Sequence, residues 1–170
     1  MADDPAQLNS AGLRALHQGD AATAAVLLAR AAAADPASPL LWYNLSMAQR
    51  ATGDTLAEIQ ALDNALDRDP YFDHALLARG RVCEDRDDAA GALGYYERLL
   101  AAHDPRVPHG PGFAAGLAAA RALVEAHQQS TSGRIDAALA PALAATADAD
   151  SVRFRHFVDA SLGRRKIYVH

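Results

Sequence analysis

Apolar residues recur along this chain at helical spacing, in blocks of 12 to 15 residues. Most of the blocks end at glycine–aspartate or aspartate–proline steps. Asp35-Pro36 and Asp69-Pro70 end two of them, because proline cannot continue a helix and disfavours helical backbone in the residue before it. The predicted helices span residues 5–17, 21–34, 40–51, 55–68, 73–84 and 89–103. We therefore expect an all-α fold built from helix–turn–helix pairs.

The pattern repeats with a period of 34 residues. Pro36 recurs as Pro70, and Gly19-Asp20 recurs as Gly53-Asp54 and, after another period, as Asp87-Asp88. Three further series keep the same spacing: Leu8, Trp42 and Leu76; Leu28, Leu62 and Tyr96; Gly12, Ser46 and Gly80. Small residues in the last series are expected where paired helices cross.

These features resemble the tetratricopeptide repeat (TPR) family, whose signature has an opening Trp-x-x-Leu-Gly, a mid-repeat Ala-x-x-x-Phe and a closing proline. Trp42 and Leu45 match in the second repeat, and Gly80, Ala92 and Tyr96 match in the third. The departures are Ser46 for glycine, Glu58 for alanine and a closing Pro105 displaced by one residue. The resemblance implies a right-handed superhelix of three repeats, at about residues 5–38, 39–72 and 73–106, followed by C-terminal capping helices.

The concave surface of such a superhelix binds peptides or proteins and is lined mainly by the first helix of each repeat. Tyr43, Met47 and Leu77 are expected to contact apolar side chains, and Arg50 and Arg81 to contact a carboxylate. The candidate groove residues are Asn9, Leu13, His17, Tyr43, Met47, Arg50, His74, Leu77 and Arg81. For each residue taken singly, an ordinary solvated or half-buried position is the alternative.

One use of the family is a clamp of Lys, Asn and Arg that binds the C-terminal carboxylate of a chaperone. Asn44 occupies one matching position, but Asn9 replaces the expected Lys and Leu13 the expected Asn. The third-repeat basic pair is replaced by His74 and Ala78. These departures argue against capture of a chaperone tail.

The region after the repeats breaks the 34-residue period. Residues 106–112 are predicted to form a Pro/Gly linker, and residues 113–163 capping and connector helices. The predicted helices are 113–129, 134–147 and 152–162, with a break or weak point at 130–133 and a kink at Pro141. Residues 164–170 are expected to begin a further domain that the sequence does not contain.

A phenylalanine-rich helix followed by Leu-Gly-Arg-Arg-x-x-Tyr resembles the junction in bacterial aspartyl/asparaginyl β-hydroxylase-like proteins. The matching residues are Phe154, Phe157, Leu162, Gly163, Arg164, Arg165 and Tyr168. The resemblance implies that a downstream domain binds Fe(II) and 2-oxoglutarate, and that this domain is a second candidate partner for the groove. The alternatives are a free-standing adaptor, or the repeat region of another enzyme such as a sulfotransferase.

Composition and charge narrow the expected partners. Alanine occupies 42 of 170 positions, 51% of residues are hydrophobic and 22% are charged, as expected for closely packed helices. The net charge is −5, which gives no general attraction for nucleic acid. No apolar run reaches the roughly 20 residues of a membrane helix and no signal peptide is recognisable, so we expect a cytoplasmic protein without a membrane partner.

No catalytic, metal-binding or cofactor-binding residue is predicted within residues 1–170. Cys83 is the only cysteine and falls at a packing position in a helix. His103-Asp104 is interpreted as a helix cap with a stop signal, and His156 and Asp159 as a partly exposed pair. Recognisable zinc-protease, phosphate-loop and nucleophile-elbow motifs are absent from the sequence.

Overall fold

The computed structural model describes residues 4–145, and side chains up to residue 140. This range holds seven α-helices and no strand, so the predicted all-α fold is confirmed. The helices are α1 (Pro5–His17), α2 (Ala21–Ala34), α3 (Pro39–Thr52), α4 (Thr55–Arg68), α5 (Asp73–Asp85), α6 (Ala89–Ala102) and α7 (Pro111–Ala145). The first six agree with the predicted bounds to within one residue at each end.

An aspartate caps the second helix of each repeat. The Oδ1 atoms of Asp20, Asp54 and Asp88 accept hydrogen bonds from the backbone N–H three residues later, at 3.0, 3.0 and 2.9 Å. Such a cap satisfies one of the N–H groups that a helix start leaves unpaired. Hydrogen bonds from Thr23 hold the pKa of Asp20 below its usual value. The 34-residue recurrence of aspartate therefore has a direct structural cause.

The residue before each of these caps adopts the left-handed backbone conformation. Gly19, Gly53 and Asp87 have φ of +82°, +80° and +59°. Glycine adopts this conformation without steric cost, whereas other L-residues are strained in it. The third turn therefore keeps the geometry of the first two with a less suitable residue.

Small residues bring the paired helices close together. A Cβ atom added at Gly12 would lie 2.6 Å from Leu28 Cγ, and one added at Gly80 would overlap the Tyr96 ring. Tyr96 is 2% exposed, and its hydroxyl donates a 2.6 Å hydrogen bond to Glu84. Burial, together with this carboxylate, raises the pKa of Tyr96. The predicted role of the small residues at the helix crossings is thus observed in the first and third repeats.

Within residues 4–140, the buried side chains form two core clusters. One lies mainly among α1 to α4 and is built largely from alanine and leucine, while the other extends from α4 to α7 and contains Tyr96 and Phe113. Trp42 packs against both clusters. Its indole N–H donates to the Pro36 carbonyl at 3.0 Å, and the Arg68 guanidinium lies 5.1 Å from the ring centroid.

The region after the repeats differs from its prediction. Helix α7 begins at Pro111, inside the predicted linker, and continues through residues 130–133, so that of the two alternatives for these residues, a break or a weak point, the break is not observed. Pro111 suits a helix start because the N–H it lacks has no partner in the first turn, and Ser, Thr and Gly lower helix propensity without preventing a helix. The predicted helix at 152–162 and the expected start of a further domain at 164–170 lie outside the described residues.

Internal contacts divide the chain into two units between Val124 and Glu125. Residues 4–124 are the described part of the first unit and contain all six repeat helices. Residues 125–145 are the described part of the second unit and are helical throughout. Ser132, Ile135 and Leu139 are half-buried, and their spacing places them along one face of that helix.

Candidate peptide-binding surface

Direct contacts join the first helices of the three repeats, α1, α3 and α5. Asn44 Nδ2 donates to Asn9 Oδ1 at 2.8 Å, linking α3 to α1. On the other side of α3, the Tyr43 and His74 rings lie 5.4 Å apart, linking α3 to α5. The candidate residues named from the sequence therefore lie on adjacent helices. Their role in binding stays a prediction.

The first two repeats leave much of this surface open. Asn9, Leu13, Tyr43 and Met47 are half-buried, and His17 and Arg50 are exposed. Asn44 is different, because it is only 4% exposed and its amide is engaged with Asn9. The single clamp-like position of the sequence is thus a packed structural residue.

Two carboxylates surround the Arg50 guanidinium. Glu58 of α4 lies 3.5 Å from Arg50 and Asp85 of α5 lies 3.3 Å from it. The Arg50 side chain is still 50% exposed, whereas the Glu58 side chain is 7% exposed. Burial raises the pKa of Glu58, and the charge of Arg50 opposes that rise. Arg50 therefore keeps an accessible side while neutralising a buried acid.

Helix α7 covers the corresponding surface of the third repeat. A Cβ atom added at Gly116 would lie 2.9 Å from Leu77 Cδ2 and would overlap the Arg81 guanidinium. Leu77 is 4% exposed and Arg81 is half-buried. Leu77 therefore contacts the chain itself and offers no open surface, although the sequence analysis included it among the groove residues.

A cluster of rings extends from the second repeat to the start of α7. The His74 ring lies 4.7 Å from Phe113 and 5.2 Å from His109, and His109 stacks on Phe113 at 4.1 Å. Burial and the neighbouring His109 lower the pKa of His74. His74 is thus half-buried among rings, and the aromatic packing limits its availability to a ligand.

The sequence pattern predicts no role for His109, and it predicts for Asp73 only a position at the start of a helix. The structure brings both beside His103, which is the C-cap residue of α6 as predicted. The spacing of Asp73, His103 and His109 along the chain matches no known metal-binding motif. The only available signal was a pair of histidines on either side of a Pro-rich turn.

Solved structures with a similar helical fold are known. The chain is similar to the Sgt2 TPR domain from Aspergillus fumigatus, at 23% identity over 74% of this chain and 82% of that one, with a TM-score of 0.59. The fold is that of TPR domains. The first TPR of Spaghetti (RPAP3) bound to the HSP90 peptide SRMEEVD is 20% identical, over 74% and 96% of the two chains, with a TM-score of 0.60.

A third TPR-fold structure is the Yersinia enterocolitica type III secretion chaperone SycD in complex with a peptide of the translocator YopD. It is 14% identical, over 74% of this chain and 92% of that one, with a TM-score of 0.63. No protein-family model and no curated protein matches the chain. Among the described residues, no helix is long and apolar enough to cross a membrane.

Proposed function

We propose that the open surface of the first two repeats binds a peptide or protein segment. The supporting observation is that half-buried Leu13, Tyr43 and Met47 lie on the same two first helices as exposed Arg50. Tyrosine, methionine and arginine are enriched at protein interfaces relative to the rest of the surface. The TPR-fold neighbours with bound HSP90 and YopD peptides support this use of the fold.

The chemistry of the surface suggests the class of ligand. An apolar side chain suits the patch of Leu13, Tyr43 and Met47, and an acidic group suits Arg50. A ligand carboxylate would share the Arg50 guanidinium with Asp85, which lies 3.3 Å away and is itself well exposed. Asn44 is buried and the other clamp positions differ, so we propose an internal acidic–apolar segment as the ligand, and not a chaperone C-terminus.

A panel of fluorescent acidic–apolar peptides tests this proposal by fluorescence polarisation. The double substitution Leu13→Glu and Met47→Glu should weaken binding of the best peptide at least about 10-fold, because two charges enter the apolar contact. Val26→Glu with Leu56→Glu is the matched control, since these side chains are 61% and 67% exposed on the second helices α2 and α4. Equal loss in both double variants would place binding elsewhere.

The acidic part of the ligand is tested by Arg50→Ala and Arg81→Ala, made singly and together. Arg50→Ala should weaken binding about 10-fold, the usual effect of losing a hydrogen bond to a charged group. Arg81→Ala should have less effect, because α7 partly covers Arg81. Unchanged binding in the double variant would remove the acidic-ligand proposal while leaving the apolar contact standing.

The wider context proposed for this region is a position before an Fe(II)- and 2-oxoglutarate-dependent hydroxylase domain. Only the sequence resemblance at 154–168 supports it, and those residues lie outside the described range. An open reading frame continuing past His170 into His-x-Asp/Glu and a distal histidine would support it. A stop codon there would favour a free-standing adaptor. Residues 1–170 should show no 2-oxoglutarate turnover by themselves, as measured by succinate release.

A further inference from the structure

Three potential metal ligands meet where α5 begins, α6 ends and the chain approaches α7. Asp73 is the first residue of α5, His103 caps α6, and His109 lies two residues before α7. One ligand atom from each residue lies within 4.8 Å of the other two. His103 Nδ1 is 2.7 Å from Asp73 Oδ2, and His109 Nε2 is 3.6 Å from the same oxygen.

The cluster is mostly shielded from solvent. The side chains of His103, His109 and Asp73 are 9%, 11% and 18% exposed. His109 Nε2 is buried and has no hydrogen-bond partner. A buried polar atom without a partner is costly, and in native proteins it commonly marks the place of a water or an ion. This nitrogen points to a missing ligand beside Asp73.

We propose that Asp73, His103 and His109 bind a divalent transition-metal ion, with zinc as the best fit. Two imidazole nitrogens and one carboxylate oxygen form a ligand set typical of zinc, with a fourth position left for water or another group. The sequence alone predicts no metal ligand in this chain, because the three residues come together only in the folded structure. The proposal is independent of peptide binding, because none of the three residues lies on the open surface of the first two repeats.

One of the observed ligand–ligand distances is close to that which a tetrahedral ion needs, and a second is shorter. Zinc–ligand bonds of about 2.0–2.2 Å place neighbouring ligand atoms roughly 3.3–3.5 Å apart. The separation of 3.6 Å between His109 and Asp73 is already near that value. The 2.7 Å separation between His103 and Asp73 is a hydrogen-bond distance, so the two atoms must part slightly and the shared proton must leave.

A bound ion would cross-link both helices of the third repeat and the segment that follows them. It would hold the start of α5, the end of α6 and the turn before α7 at one point, next to the ring of Phe113 that stacks on His109. Metal affinity would therefore add to the stability of this end of the repeats, since the ion binds only the folded arrangement. It would leave the first two repeats without a direct contact to the ion.

Calorimetric titration of the full chain, stripped with chelator, with zinc chloride at pH 7.5 tests the proposal. We expect one zinc per chain and a higher Tm with zinc than with chelator. Cobalt, titrated separately, should develop the visible absorption of a four-coordinate N/O site. His109→Gln should weaken zinc binding at least about 10–100-fold, because it replaces a ligand. His127→Gln, at an exposed position on α7, is the matched control and should bind like the wild type.

His109→Gln is the decisive variant because Nε2 makes no hydrogen bond that the substitution would remove. Circular dichroism in chelator should show that it folds like the wild type. Asp73→Asn, measured the same way, should also lose zinc. No zinc binding by the wild type would overturn the proposal and leave a histidine–aspartate hydrogen bond. Zinc binding that is unchanged in His109→Gln, or equally reduced in His127→Gln, would assign the ion to surface histidines and overturn it as well.

Discussion

The first helices of the three repeats differ in their exposure. Those of the first two repeats, α1 and α3, present an open surface, whereas α5 of the third repeat is covered by α7. On α1 and α3, Asn9 and Tyr43 are half-buried at an open surface, whereas Leu77 at the equivalent position of α5 is 4% exposed beneath α7. The repeat register is the same in all three. The neighbour that follows the repeat therefore determines whether these positions form a ligand surface or an internal contact.

The third repeat depends on α7 for part of its core. Phe113, Ala120 and Val124 of α7 are 8%, 1% and 5% exposed and belong to the same buried cluster as Leu76 and Tyr96. A repeat cannot bury its apolar surface alone, and the last repeat of a series needs a capping element. Covering the third repeat removes binding surface but completes the core.

Phe113→Ala should have the largest effect, because it removes a buried ring that contacts His74 and His109. We expect a loss of about 3–5 kcal/mol in the free energy of unfolding, measured by urea denaturation. Leu13→Ala, on the open surface, should cost about 1 kcal/mol or less. Similar losses at the two positions would contradict the distinction between covered and open repeats.

Gly116→Leu tests the close approach of α7 to α5. The added side chain would overlap Leu77 and Arg81, and overpacking of this kind costs about 1–3 kcal/mol. Hydrogen exchange of α5 amides should increase, while that of α1 should not. Gly94→Ala is the control, because nothing lies within 4 Å of its Cβ position on α6, and it should stabilise the protein by about 0.5–1 kcal/mol. Unchanged stability in Gly116→Leu would mean that α7 is not packed on α5.

Glu58 should make the free energy of unfolding depend on pH, with an effect of intermediate size. Burial raises its pKa above 4.5, so the folded state binds the proton more tightly than the unfolded state. Its contribution to stability is therefore greatest below pH 4.5 and falls as the pH rises through the raised pKa. The unfolding free energy of the wild type relative to Glu58→Gln should fall over that interval.

The charged groups that act on Glu58 are Arg50, Asp85 and Arg79, and Arg50 has the largest effect among the cations. Arg50→Ala should raise the pKa of Glu58 further and move the fall in stability to higher pH. Urea denaturation at pH 4, 5, 6 and 7 measures both effects. A difference between wild type and Glu58→Gln that does not vary with pH would exclude this role for Glu58.

The smallest expected effect concerns the left-handed residue in the turn before the second helix of each repeat. Asp87 has φ of +59° where the first two repeats use glycine, so Asp87→Gly should stabilise the third repeat by about 0.5–1 kcal/mol. Gly53→Asp should destabilise the second repeat by a similar amount, although its Cβ position is sterically free. Thermal denaturation of the two variants should shift in opposite directions. A loss of stability in Asp87→Gly would indicate a favourable contact of the carboxylate.

Sequence periodicity predicted the six repeat helices because their signals are local. The caps at Asp20, Asp54 and Asp88 and the left-handed turns before them act within a few residues, and each recurs after 34 positions. Small residues such as Gly80 indicate where helices cross, since the close approach of a large side chain from the paired helix leaves no room for a Cβ atom there. Local rules and repetition thus sufficed for this part of the fold.

The covering of α5 by α7 and the cluster of Asp73, His103 and His109 both depend on contacts between residues far apart in sequence. Local sequence rules do not predict such contacts. Leu77 and Met47 are both apolar groove candidates on a first helix of a repeat. Only the close approach of Gly116 to Leu77 makes one a buried contact and leaves the other at an open surface. Asp73 and His103 are 30 residues apart and meet only after α5 and α6 have packed. The sequence also does not decide between a break and a weak point at residues 130–133, where α7 is continuous, because weak helix formers lower a propensity without determining the outcome.

Trp42 contacts the cores of both the open and the covered repeats. It is the only tryptophan of the chain, and it packs against both core clusters while its N–H and the overlying Arg68 attach it to the turn at Pro36. Indole emission responds to the polarity of its surroundings, so separation of the clusters would change the signal of the protein's sole such fluorophore. The chain thus carries an intrinsic optical reporter at the joint between its open and covered repeats.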